Sequence, residues 1–253
     1  MNKYSVQCYI MISDETKVLV ATGTPWNEGR TTEIIDLVDP TFGCTLDNQF
    51  PIRLAGATGG FIDEKPMICG GLSLVNSTHG SISKACYTLE GNGVWMEDQS
   101  AAISSARYYA ATGSTILNNK LVLAGGKAGP LRLQTIDLTS PNSFTRSETL
   151  SVQLPVGLYF SCIVPWDTNS FMVIGGCTTS CSRKETYFVF MGNGTVASGP
   201  ELINGRDKHA CEEIIVNDQS YIAAVGGHDS DSEFAFELLP KHAFKSGWVK
   251  SKH

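Results

Sequence analysis

The sequence predicts an all-β fold built from one four-stranded antiparallel unit used five times, and three observations lead there. An apolar run ending on a double glycine returns at 67–71 (MICGG), 121–126 (LVLAGG), 171–176 (FMVIGG) and 221–227 (YIAAVGG), with a degenerate copy at 18–23 (VLVATG). The closing glycines, Gly23, Gly71, Gly126, Gly176 and Gly227, stand 48, 55, 50 and 51 residues apart, a period at which a β-propeller is the leading architecture. Each run has a second β-rich run before it, across a polar turn, and a third after it in which apolar residues alternate.

Taken in order, the runs before the turns are strands A: 7–12, 57–62, 108–116, 160–164 and 210–216. The turns are 13–15, 63–65, 118–119, 167–169 and 217–218. Their Asp and Asn residues tolerate left-handed dihedrals and bond their own backbone. The glycine-ended runs are strands B. Strands C follow a loop of variable length, at 32–37, 84–89, 133–138, 185–191 and 233–238, and their period of two buries one face. Short strands D are expected near 46–50 and at 94–95, 143–145, 195–196 and 247–249. Glycine where strand B ends permits close backbone approach and a turn out of the strand. The chain thus reads as a single domain over 1–253, with repeats of about 1–53, 54–104, 105–157, 158–204 and 205–253. A closed five-bladed ring is expected, because an open one would expose the apolar faces of its end blades.

Particular residues resemble kelch repeats. In that family a Gly-Gly follows an apolar strand, then come an aromatic and a tryptophan, and Arg with His-Ala leads into the next strand A. Tyr87 and Trp95 follow Gly70-Gly71 here, 206–210 reads RDKHA, and 107–111 reads RYYAA. Thr22 departs from the pattern at the first glycine of the first repeat, and tryptophan is missing from the fourth strand of repeats one, three and four. The resemblance covers nearly the whole chain. It implies a propeller of the galactose-oxidase-like superfamily, whose usual ring has six or seven blades.

Composition narrows the function. A formal charge of −6 leaves no basic excess to displace phosphate counterions, so no nucleic-acid partner is expected. No apolar run approaches the ~18 residues of a membrane span, and residues 1–12 lack the apolar core and cleavage site of a signal peptide. Eight cysteines are many for a reducing compartment, which leans the expectation towards an extracellular protein. Adjacent strands B and C could bring Cys69 to Cys86. Cys177 and Cys181 bracket one B–C loop, and Cys162 and Cys211 lie in strands A of neighbouring blades. A buried free thiol is the alternative for each.

Strands running A to D outward place the B–C loops and D–A connections on one face, and unlike loops on a rigid scaffold are where binding is expected. Trp26, Asn27, Arg30, Arg53, Arg107, Lys127, Arg206, His228 and Asp229 are the partner-binding candidates, with Trp26 as the anchor. For the three arginines at repeat positions, the competing reading is a structural hydrogen bond between blades. No catalytic residue, metal site or cofactor is expected: P-loop, Rossmann, Gly-x-Ser-x-Gly and His-Glu-x-x-His patterns are absent. A Cys-x3-Cys with no second pair makes a poor zinc site. The leading expectation is a non-catalytic module that binds a partner protein, or a glycan, through its loop face. A propeller enzyme (oxidase, epimerase or specifier-like) with a site in the central channel is the alternative. A secreted, disulfide-stapled structural or glycan-binding propeller is the third reading.

Overall fold

The computed structural model describes residues 9–13, 17–22, 30, 32–38, 45–47, 49–76, 79–113, 116–141, 147–229 and 236–250. They are all-β apart from two 3-10 turns, Gln99–Ala101 and Lys241–Ser246. The chain divides into two compact units. The first comprises Met1–Tyr109, Asn119–Leu121 and Asp137–Thr149, and the second comprises Ala110–Asn118, Val122–Ile136 and Leu150–His253. Strands of the third repeat are apportioned between the two.

The first unit holds the first two blades. One is the sheet Tyr9–Ser13, Lys17–Ala21, Thr32–Asp36 and Thr45–Asp47, its strands neighbouring in chain order. The next is Thr58–Ile62, Lys65–Cys69, Cys86–Leu89 and Trp95–Asp98. Its A–B turn places Asp63 and Glu64 at φ 48° and 61°, the two left-handed residues of a tight hairpin. Leu19, Ala21, Phe50, Leu54, Ala57, Ile68, Tyr87 and Trp95 form one core. Phe50 meets both Tyr87 and Trp95 edge-on at 4.9 Å, and the Trp95 indole donates to Thr32 Oγ1 at 3.1 Å. The repeat's aromatic and tryptophan are therefore core. The B–C stretch read as loop is in fact a hairpin, Leu72–Asn76 with His79–Ile82, added to Leu54–Ala55; its small polar residues conceal the strand pattern.

The second unit holds the last two blades. Cys162–Asp167, Ser170–Ile174, Thr186–Phe190 and Thr195–Ser198 make the fourth, with Thr112–Gly113 added in parallel to Cys162–Ile163. The fifth is Ala210–Val216, Gln219–Val225, Glu237–Pro240 and Val249–Lys250. Cys162, Met172, Ile174, Phe188, Leu202, Ile222, Leu239 and Trp248 share their core. In the third repeat the fourth strand is Glu148–Thr149, paired with Asp137 and Leu138; the expected position, 143–145, lies outside the described residues.

The diglycine now has a physical role. Gly71 N–H donates to the Arg107 carbonyl at 2.7 Å in the first unit. In the second, Gly126 N–H donates to Leu158 at 2.7 Å and Gly176 N–H to Arg206 at 2.8 Å. Each acceptor is the residue that leads into the next strand A, so every pair joins one blade to its successor. At Gly175 a Cβ would stand 2.5 Å from the Arg206 carbonyl, and φ is 58°; only glycine fits both demands. Thr22, where the first repeat lacks its glycine, still takes φ 63°. Two residues past each acceptor stands another left-handed residue, Tyr109 in the first unit and Phe160 and Lys208 in the second, and Gly56 takes the same conformation before the second blade. These are joined in pairs by backbone, Tyr109 N–H to the Gly56 carbonyl at 2.7 Å and Lys208 N–H to the Phe160 carbonyl at 3.0 Å.

Candidate functional site

The lead-in arginines face inward. Arg107 Nη2 lies 2.7 Å from Asp137 Oδ2, and Arg206 Nη2 lies 2.6 Å from Glu237 Oε1; all four side chains are 0–1% exposed. Asp137 also accepts from Ser104 Oγ at 2.8 Å and Thr149 Oγ1 at 2.6 Å. Glu237 accepts the backbone N–H groups of Ile203 and Asn204 at 2.7 and 3.0 Å. Assigning Arg107 and Arg206 to partner binding is therefore corrected: both charges are consumed by carboxylates inside their blades, out of reach of any partner. The sequence conceals this: Asp137 lies between Ile136 and Leu138 and Glu237 between Phe236 and Leu238, on the side of strand C that alternation assigns to solvent.

Other candidates are dispersed. Trp26 and Asn27 lie outside the described residues. Arg30 and Arg53 are exposed in the first unit, and Arg30 Nε donates to the Phe50 carbonyl at 2.7 Å. Open depressions ringed by Phe61, Asp63, Glu64, Lys65, Leu89 and Glu90 in the first unit, and by Asp167, Asn169, Phe190 and Asn193 in the second, sit at strand turns, and in the first Lys65 is paired with Glu90 at 2.7 Å.

In the second unit, chemistry-bearing groups do converge. A two-residue bridge pairs Arg206 with Asp229 and Asp207 with His228. Asp207 is 2% exposed. Its Oδ1 accepts Ser182 N–H and Ser182 Oγ–H, each at 3.2 Å, and lies 3.7 Å from His228 Nδ1. That last separation is ion-pair range rather than a hydrogen bond. The His228 side chain is 79% exposed, so one ring nitrogen faces the carboxylate while the imidazole stays open to solvent. The Ser182 hydroxyl is shared between the Asp207 carboxylate and the His228 backbone carbonyl, each at 3.2 Å, and a hydroxyl spent on these two acceptors is not arranged as the nucleophile of a triad. Beside this group lies the Cys177–Cys181 disulfide. The Tyr159 hydroxyl is 3.9 Å from Cys181 Sγ, and Lys127 Nζ stands 5.0 Å from the Tyr159 ring centroid. Lys208 Nζ stands 4.7 Å from the neighbouring Phe160 ring. All three cysteine pairings considered from sequence are present: Cys69–Cys86, Cys162–Cys211 and Cys177–Cys181.

Behind this surface is His209, 3% exposed, with neither ring nitrogen hydrogen-bonded among the described residues. Burial, aided by the nearby Arg206 cation, pushes its pKa down to about 3. Folded His209 thus stays neutral while the unfolded chain takes up a proton below about 6.5. Its effect on stability is nil above that pH and grows unfavourable as pH falls towards 3. At pH 5 the loss is about 2 kcal/mol. Denaturant midpoints at pH 7 and 5 check this: His209→Asn should flatten the difference, and equal slopes in the two proteins would refute it.

No family model matches this chain, and no curated protein matches it by sequence. Among solved structures it is similar to a fungal alcohol oxidase of the AA5 family in complex with copper, at a TM-score of 0.66 and 12% identity. The match covers 97% of this chain and 53% of that one, so the chain spans about half the length of the solved oxidase. The fold is accordingly a β-propeller of four-stranded antiparallel blades. This finding overturns the expectation of a non-catalytic module and of a chain that is not an enzyme, since a copper enzyme carries the fold that runs through nearly all of this one.

A copper ion would need imidazole or other donors brought together. Among the described residues the donor atoms that converge are those of Cys177, Cys181 and Asp207, and both sulfurs are held in a disulfide. His209 is enclosed beside a guanidinium, and His242 packs edge-on to Tyr221 at 6.1 Å. These residues do not fit a copper centre as they stand.

Proposed function

We propose that this chain is a propeller enzyme, an oxidase acting on hydroxyl groups of a small polar substrate, with its site on the Asp207–His228 surface of the second unit. The carrying observation is a nearly fully buried carboxylate set 3.7 Å from an exposed imidazole. Oxidising an alcohol to the aldehyde removes two protons and two electrons; dioxygen is the oxidant of the proposed reaction and leaves as hydrogen peroxide, and what this surface supplies is the base for the hydroxyl proton. Histidine is suited to that task near neutral pH. Asp207 holds the Nδ1 side of the ring and stabilises the imidazolium that forms, and Ser182 holds Asp207. Tyr159 and Lys127 supply a hydrogen-bonding and cationic margin for substrate hydroxyls.

The reading extends to a single kelch-type propeller over residues 1–253. Three disulfides in one chain support an extracellular location. No helix among the described residues is long and apolar enough to cross a membrane.

The test is peroxide release from a panel of primary alcohols and sugars under air, with and without added copper(II). Turnover is expected, and His228→Ala should lower kcat/KM about 100-fold or more. His228 is exposed, so the variant will fold. Absence of peroxide from every substrate with copper supplied, or full activity in His228→Ala, would sink the proposal.

A further inference from the structure

We infer that reducing the Cys177–Cys181 disulfide turns this corner of the second unit into a site for a borderline divalent cation of the zinc type. Its ligands are Cys177, Cys181, Asp207 and His228. The two sulfurs and a carboxylate oxygen of Asp207 already lie within 4.8 Å of one another. His228 Nδ1 is 3.7 Å from Asp207 Oδ1. Bond lengths of about 2.0–2.3 Å put the ligand atoms of a tetrahedral zinc roughly 3.3–3.8 Å apart; the sulfurs and the carboxylate lie near that spacing, and the exposed His228 ring, which stands outside that group of three, turns in to complete the set. Read from sequence, Cys-x3-Cys lacked a second pair of ligands; the bridge between 206–207 and 228–229 supplies it.

The chemistry selects this disulfide from the three. Cys69, Cys86, Cys162 and Cys211 are buried, whereas Cys181 is exposed and its partner Cys177 is buried. An attacking thiolate therefore reaches Cys181 Sγ. It forms a mixed disulfide there and breaks the bond to Cys177, whose thiolate takes a proton. The second thiol of a dithiol reductant then displaces Cys181, leaving two protein thiols and one oxidised reductant. Binding a divalent cation releases the two thiol protons and leaves two metal–thiolate bonds. The Tyr159 hydroxyl, 3.9 Å from Cys181 Sγ, donates to that thiolate, and Ser182 fixes the carboxylate. Two thiolates, an imidazole and a carboxylate suit zinc better than a hard cation.

The experiment uses the full chain, undenatured, before and after a mild dithiol and its removal, with cobalt(II) as the probe for zinc. Cobalt should bind at one equivalent per chain only after reduction, with a thiolate-to-cobalt absorption band that zinc abolishes. Cys181→Ser should lose the band, and Asp207→Asn should weaken binding about 10- to 100-fold. On the wild-type chain, where no variant has to fold, alkylation after mild reduction should label, of the six cysteines in the three disulfides, Cys177 and Cys181 alone, and zinc should protect them. Labelling spread over the other disulfides, no protection by zinc, or an unchanged cobalt spectrum in Cys181→Ser would each overturn the inference. Because the readouts are binding and labelling, failure here leaves the oxidase proposal standing, and absence of turnover leaves this one standing.

Discussion

Arg206→Ala is expected to lower global stability by about 3–5 kcal/mol, measured as a shift in denaturant midpoint at unchanged slope. The substitution strands Glu237, which is 0% exposed, without its guanidinium partner. The cost comes mainly from that uncompensated carboxylate and less from the lost attraction. Arg107→Ala should fall at the lower end of the range, because Asp137 keeps the hydroxyls of Ser104 and Thr149. Among the described residues, the donors left to Glu237 are the backbone N–H groups of Ile203 and Asn204. Pairing Arg206→Met with Glu237→Gln should restore part of the loss, since glutamine still accepts from backbone and carries no charge. If Arg206→Ala unfolds within 1 kcal/mol of the parent protein (below the ~3 kcal/mol floor for a broken buried pair), the pair is not buried as described.

The second large effect is at Cys162–Cys211. This bridge closes a sequence separation of 49 residues, against 17 for Cys69–Cys86 and 4 for Cys177–Cys181. Loop-closure entropy alone gives about 4 kcal/mol for the first, about 3 for the second and about 2 for the third. The double variant Cys162→Ala/Cys211→Ala also removes sulfur from the core shared by the fourth and fifth blades. Melting curves under non-reducing conditions should therefore rank the three paired deletions in that order. A greater loss for the Cys177/Cys181 pair would contradict the ranking, and with it the view that this third bridge is the expendable one.

Much of the fold was legible because it is periodic. Gly-Gly at intervals near fifty residues located strand B, and Asp and Asn marked the hairpin turns. What escaped was the work of non-local pairing. Asp137 and Glu237 occupy strand C positions that alternation would assign to solvent, and only the inward-turned Arg107 and Arg206 make them interior. Asp207 and His228 are separated by a whole hairpin, Ala210–Val216 with Gln219–Val225, and a bridge of two residue pairs brings them together. His228 was a candidate from sequence, but Asp207, Ser182 and Tyr159 were not. Their only signal was an Asp-Lys-His run ahead of strand A and a His-Asp pair directly after the last diglycine. Arginine was misassigned for the opposite reason: charge in a lead-in segment looks like surface until its carboxylate partner is found.

The left-handed residue after each lead-in has a consequence of its own. Its joint to the neighbouring repeat includes a backbone N–H to carbonyl bond, as between Tyr109 and Gly56 and between Lys208 and Phe160. Glycine, tyrosine, phenylalanine and lysine all occupy this position at φ between 54° and 65°. The scaffold therefore specifies a bend there and leaves the chemistry of the side chain unspecified. Such a site is a socket: it can exchange an aromatic ring for a cation, or for nothing, while the connection beneath it is conserved. Divergence of specificity among chains of this architecture can proceed through these few sockets, at the cost of a strained left-handed backbone for every non-glycine occupant and, at Gly56, of displacing the Tyr109 ring, which a Cβ there would meet at 2.5 Å.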